Sequence, residues 1–72
     1  MSSRQILARN LKAFRREARV SQEELAHRAN LDRTYISALE RELYAASIDV
    51  LDRIASVLGV SACALIDPET KR

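Results

Sequence analysis

Apolar residues recur near the start of the chain at Leu7, Leu11, Phe14 and Ala18, at spacings of four, three and four. That is the period of one helical face. It predicts a first helix from about Arg4 to Ala18, with Ser2 or Ser3 as its cap. The pattern restarts after Ser21, a good N-cap, and Glu24 three residues on completes a capping-box signature. Leu25, Ala26 and Ala29 share the buried face of this second helix, and the small Ala26 allows another helix to cross closely. Asn30 follows where the chain should turn through left-handed geometry, which Asn tolerates, and Leu31 can fill the corner.

Asp32 is expected to cap a third helix through its carboxylate. Ile36 and Leu39 face inward on it, while Arg33, Thr34, Tyr35, Ser37, Ala38 and Arg41 fall on its flanks and outer face. A fourth helix runs from the cap Ser47 to Leu58 and ends at Gly59 as a left-handed cap. Its core stripe is Ile48, Leu51, Ile54 or Ala55, and Leu58, with Val50 and Val57 as a second apolar strip. A short fifth helix from Ser61 to about Ile66 stops before Asp67-Pro68, and a tail from Glu69 to Arg72 is expected to fray.

The second and third helices, joined by a tight turn, have the pattern of a helix-turn-helix over residues 22–41, whose second helix fits the major groove of DNA. On that reading Arg33 is the best candidate for bidentate contact with guanine, and Thr34 can touch phosphate or a thymine methyl. Ser37 and Ala38 are small enough for close approach, which completes the candidate base-reading set. Gln22 and the amides around it suit phosphate, because N–H groups and the positive dipole end point outward there. Tyr35, Arg41 and Tyr44 are further phosphate candidates.

The run SQEELA at Ser21–Ala26, the run from Tyr35 to Glu40, and the helix at Ser47–Leu58 resemble the Cro/phage-repressor (XRE) family of helix-turn-helix regulators. The resemblance covers roughly residues 5 to 60. It implies an all-α, five-helix, lambda-repressor-like DNA-binding domain over residues 1–72. It also implies a phosphate contact from Gln22, base contacts around Arg33, Thr34 and Ser37, and a partly buried ion pair between Arg15 and Glu40. Asp32–Ser37 is similar to the controller proteins of restriction–modification systems, which are small dimers. The chain departs from the family pattern at three places: Asn30 and the Ala18-Arg19-Val20 segment stand where Gly is usual, and Glu42-Leu43-Tyr44-Ala45-Ala46 replaces a Gly- and basic-rich loop ending in Pro.

Seventy-two residues are near the lower limit for a self-sufficient core, so association would help this chain. Val50, Val57, Val60, Leu65 and Ile66, on helices spanning about residues 47–66, are the expected homodimer surface; the alternative is that they complete a monomer core. A two-fold dimer would set two recognition helices about 34 Å apart and demand a palindromic site. Residues 1–41 hold nine Lys/Arg against five acids, and residues 42–72 three against five, so the net +2 is concentrated in the helix-turn-helix half. Arg9, Lys12, Arg16 and Arg19 form a basic stripe that reads either as a solvated face or as a rim for phosphates.

The lone Cys63 excludes an internal disulfide and is expected to be a small, partly buried apolar residue. The lone His27 is expected at the surface with no second metal ligand. No metal, cofactor or enzymatic activity is expected, since no nucleophile–base arrangement or phosphate loop is present. The absence of a signal segment and of a long apolar run points to the cytoplasm and away from membranes. Acidic Glu42, Asp49 and Asp52 are candidates for a polymerase contact. The competing function is an antitoxin-like or adaptor module that binds protein, with DNA binding secondary or lost.

Overall fold

The computed structural model describes residues 2–70, which form five helices: α1 (Ser3–Glu17), α2 (Gln22–Ala29), α3 (Arg33–Glu40), α4 (Ile48–Leu58) and α5 (Ala62–Ile66). No strand occurs among the described residues. Serine side chains start four of the helices. Ser2, Ser21, Ser47 and Ser61 each accept from the backbone N–H three residues on, satisfying a donor that the helix itself leaves orphaned. The complete capping box belongs to Ser2 and Gln5. At Ser21 only half of the expected box forms, because the Glu24 carboxylate is drawn to Arg28 at 2.7 Å, one turn along. Asp32 occupies the N-cap position of α3, but its side chain makes no cap hydrogen bond, contrary to expectation.

Four helices end in one way. Arg19, Asn30, Glu42 and Gly59 each adopt positive φ, between 57° and 69°. The next residue, Val20, Leu31, Leu43 or Val60, donates its N–H to the carbonyl five residues back, on Arg15, Ala26, Ala38 or Ala55. This is the Schellman closure, and the residue after each left-handed position is apolar, as that closure favours. Asn30 and Gly59 carry the residue type suited to the geometry. Arg19 and Glu42 hold it despite a Cβ penalty of about 1–2 kcal/mol.

The core gathers Leu7, Leu11 and Phe14 of α1, Leu25 and Ala26 of α2, Ile36 and Leu39 of α3, Leu51, Ile54 and Ala55 of α4, and Leu65 of α5, with Val20 between α1 and α2. Helix α3 packs on α1 and α2, α4 packs on α2 and α5, and α5 returns to α1. Two residues assigned to the core by spacing are not in it. Ala18 is exposed as the C-cap of α1. Ile48, in the first turn of α4, is 77% exposed.

Asn10 is a buried polar residue that apolar spacing does not reveal. Its amide nitrogen lies 3.2, 3.0 and 3.0 Å from the carbonyl oxygens of Ala64, Leu65 and Asp67, at the end of α5. Its Oδ1 accepts from Arg9 Nε at 3.2 Å. An amide nitrogen has two hydrogens, so three acceptors share them. Fixed in this way, the C-terminal end of α5 is clamped to α1. The clamp extends into the tail, since Thr70 Oγ1 donates to Ala64 O at 2.8 Å and Arg9 Nη2 donates to Pro68 O at 3.0 Å. The tail is therefore tied down as far as Thr70 instead of frayed; Lys71 and Arg72 lie outside the described residues.

Candidate nucleic-acid interface

The helix-turn-helix is built by α2, the Asn30 turn and α3. Leu31 N–H closes onto Ala26 O at 2.8 Å, and Ala26 is 2% exposed, so the small side chain lies at the crossing. With Ile36 and Leu39 fully buried, helical geometry sends Arg33, Thr34 and Arg41 outward. Ser37 is half-buried. Ala38 is buried, whereas the sequence placed it at the centre of the outer face. Beside it, the left-handed Glu42 turns the chain back so that the Leu43 N–H reaches Ala38 O at 3.0 Å.

The rear of α3 is fastened by charge. Arg15 Nε and Nη2 donate to the two carboxylate oxygens of Glu40 at 2.6 and 3.1 Å, a two-pronged pairing. The side chains keep 14% and 5% of their surface exposed. Arg15 Nη1 also donates to Val20 O at 3.1 Å, and Gln22 Nε2 donates to Glu40 Oε1 at 3.1 Å. One carboxylate thus ties the end of α3 to α1 and to the first turn of α2. A buried charge is tolerable only when paired and hydrogen-bonded in this manner. Spacing alone gives no signal for the Gln22–Glu40 bond.

Tyr35 is half-buried and its ring lies 6.1 Å from that of Tyr44, inclined at 37°. Its hydroxyl points to the loop after α3, with Ala45 O as a long, exposed acceptor at 3.4 Å. Tyr44 is 57% and Leu43 53% exposed. Arg41 is exposed, with Nε 3.4 Å from Ser37 O. On α1, Arg16 and Arg19 are exposed, Lys12 is half-buried, and Arg9 is turned to Asn10 and Pro68.

The residues expected to form one association surface are not brought together as a set. Leu65 is fully enclosed in the chain's own core, where no second copy can reach it. Val50, Val57 and Val60 are half-buried against that core. Val57 lines a hollow with Arg28 and Asp52, while Ile66, 44% exposed, lines a separate one with Leu7, Ala46 and Leu51. Cys63 is exposed, not partly buried, because α5 turns Leu65 inward and leaves Cys63 outside. His27 is exposed. No described helix is long and apolar enough to cross a membrane.

Residues 11–65 match the helix-turn-helix family model. The chain belongs to this XRE-type helix-turn-helix family. It is 42% identical over 69 residues to a hypothetical transcription factor of Neisseria meningitidis, which covers 96% of this chain and 65% of that protein. It is 36% identical over 64 residues to the immunity repressor of Bacillus phage phi105, covering 89% of this chain and 44% of the repressor. The control protein C.SmaI of Serratia marcescens is 35% identical over 66 residues, covering 92% of this chain and 79% of that protein. The crystal structure of a hypothetical transcription factor from Neisseria superposes with a TM-score of 0.90 at 41% identity, covering 94% of this chain and 78% of that one. The chain therefore spans just under two thirds of the first of these relatives and less than half of the second. The fold of the described residues, five helices with no strand among them, is that of helix-turn-helix transcription regulators.

Proposed function

We propose that this chain is a sequence-specific DNA-binding transcriptional regulator that acts as a homodimer on a palindromic operator. The carrying observation is the presentation of α3: Arg33, Thr34 and Arg41 stand exposed on a helix whose opposite face and C-terminal end are immobilised by the core and by Glu40. A rigid, outward-facing helix of this length suits the major groove. Arg33, at the start of the helix, reads guanine, Thr34 and Ser37 contact neighbouring base edges, and Arg41 reaches phosphate. Gln22 holds phosphate with the second hydrogen of its amide, the first being committed to Glu40.

The homodimer reading rests on apolar surface left on the C-terminal pair of helices, where Ile48 is 77% and Ile66 44% exposed and Val50, Val57 and Val60 are half-buried. Similarity to an immunity repressor and to a control protein supports regulation of transcription as the outcome of binding. The test is selection of bound duplexes from a random pool at near-physiological salt. Enrichment of a palindrome with half-sites about 34 Å apart, one turn of DNA, is expected. A folded protein that enriches no motif would refute the proposal and favour a protein-binding module.

A further inference from the structure

We propose that the hollow between α3 and the turn that follows it seats the 5-methyl group of a thymine in the major groove. The inference rests on the DNA-reading function above and specifies one of its contacts. The hollow is open, with a volume of about 350 Å³. Ala38, 4% exposed, contributes to its lining, and Thr34 and Arg41 line it from the same helix face, one turn before and after. Leu43 and Tyr44 line it from the loop.

These apolar groups are held in place. The Leu43 N–H is bonded to Ala38 O, fixing the turn beside α3. Tyr44 lies against Tyr35, whose hydroxyl reaches the next residue, Ala45. Two adjacent large apolar residues are thereby kept more than half exposed beside the recognition helix. Among base edges in the major groove, only thymine offers an apolar group, and contact with Ala, with the Thr methyl or with another apolar side chain is the way proteins read it. Arg41 supplies positive charge at the rim. Asp32, whose carboxylate is not used as a cap, supplies an acceptor there, suited to the exocyclic amino group of adenine or cytosine. A second hollow combines Arg28, Arg53 and Asp52 with Ala29 and Val57, but no residue of α3 lines it, and none lines those beside Leu7 and Ile66 or beside Arg9 and Arg16.

The experiment uses the operator obtained by selection, with each thymidine replaced in turn by deoxyuridine, which removes the methyl group and nothing else. At one thymidine of each half-site the replacement should weaken binding about fourfold, the factor equivalent to burying one methyl group at about 0.8 kcal/mol. Leu43→Ala removes an exposed side chain, and its folding is checked by thermal melting. This variant should bind the unmodified operator more weakly and no longer distinguish thymidine from deoxyuridine at that position. An operator whose thymidines all tolerate deoxyuridine would overturn the seat alone. So would a penalty that persists unchanged in Leu43→Ala. Failure to select any operator would overturn the DNA-reading function and the seat with it.

Discussion

Arg15 and Glu40, twenty-five residues apart, meet through two hydrogen bonds, and the same carboxylate holds Gln22. The pair links α1, the start of α2 and the end of α3, which sets the attitude of α3. Both groups are largely removed from water. Loss of either partner therefore strands the other. Glu40→Ala and Arg15→Ala should each destabilise the fold by about 3–5 kcal/mol, and the double variant by much less than their sum. Urea denaturation of the four proteins in a cycle measures the coupling. Additive losses would show that the pair contributes nothing as a pair.

Two of the four left-handed helix ends carry side chains that oppose the geometry. Arg19→Gly and Glu42→Gly should each stabilise the chain by roughly 0.5–1 kcal/mol, since relief of the Cβ clash exceeds the added freedom of the unfolded chain. Gly59→Ala should act in the other direction by about 1 kcal/mol. No neighbouring atom lies within 4 Å of a Cβ placed there, so that cost is purely one of backbone conformation. Denaturation midpoints decide both signs.

Asn10 gathers the last carbonyls of α5 onto α1. Asn10→Ala would take the Asn10 donor from the buried Leu65 carbonyl oxygen, at about 1–3 kcal/mol, while Ala64 O and Asp67 O keep bonds from Thr70. The loss should be concentrated in α5. Hydrogen exchange of the Leu65 and Ile66 amides should accelerate more than that of Ile36 or Leu39 in the core of α3. Uniform acceleration would mean that the clamp supports the whole fold and not this helix.

Much of this was legible in the sequence because each signal was local. Serines before apolar runs set the helix starts, and Asn30 and Gly59 marked two ends with residues made for them. Arg19 and Glu42 carry no such mark. Val20 enters the core directly after Arg19, whereas Leu43 stays 53% exposed after Glu42, so a buried apolar residue follows only one of the two. Spacing also gave no sign that the chain turns back at Glu42 beside Ala38, which is buried and not on the open outer face. Asn10 was invisible for a different reason: its partners lie more than fifty residues away, and a lone Asn inside a helix gives no hint of them. Leu65 and Ile66 are neighbours in a five-residue helix too short to show a period, and only one of them faces the core.

The roles proposed for Arg33 and Gln22 differ in kind, and DNA affinity separates them. Gln22→Ala should weaken binding to operator and random duplex by the same factor, because phosphate carries no sequence. Arg33→Ala should lose about 1–3 kcal/mol on the operator alone, since a bidentate guanine contact discriminates by that amount. Titration of wild type and Arg33→Ala against both duplexes, at one salt concentration, is the decisive measurement. Loss confined to the operator establishes α3 as the reading helix. Equal losses on operator and random DNA would contradict it and reduce Arg33 to a phosphate contact.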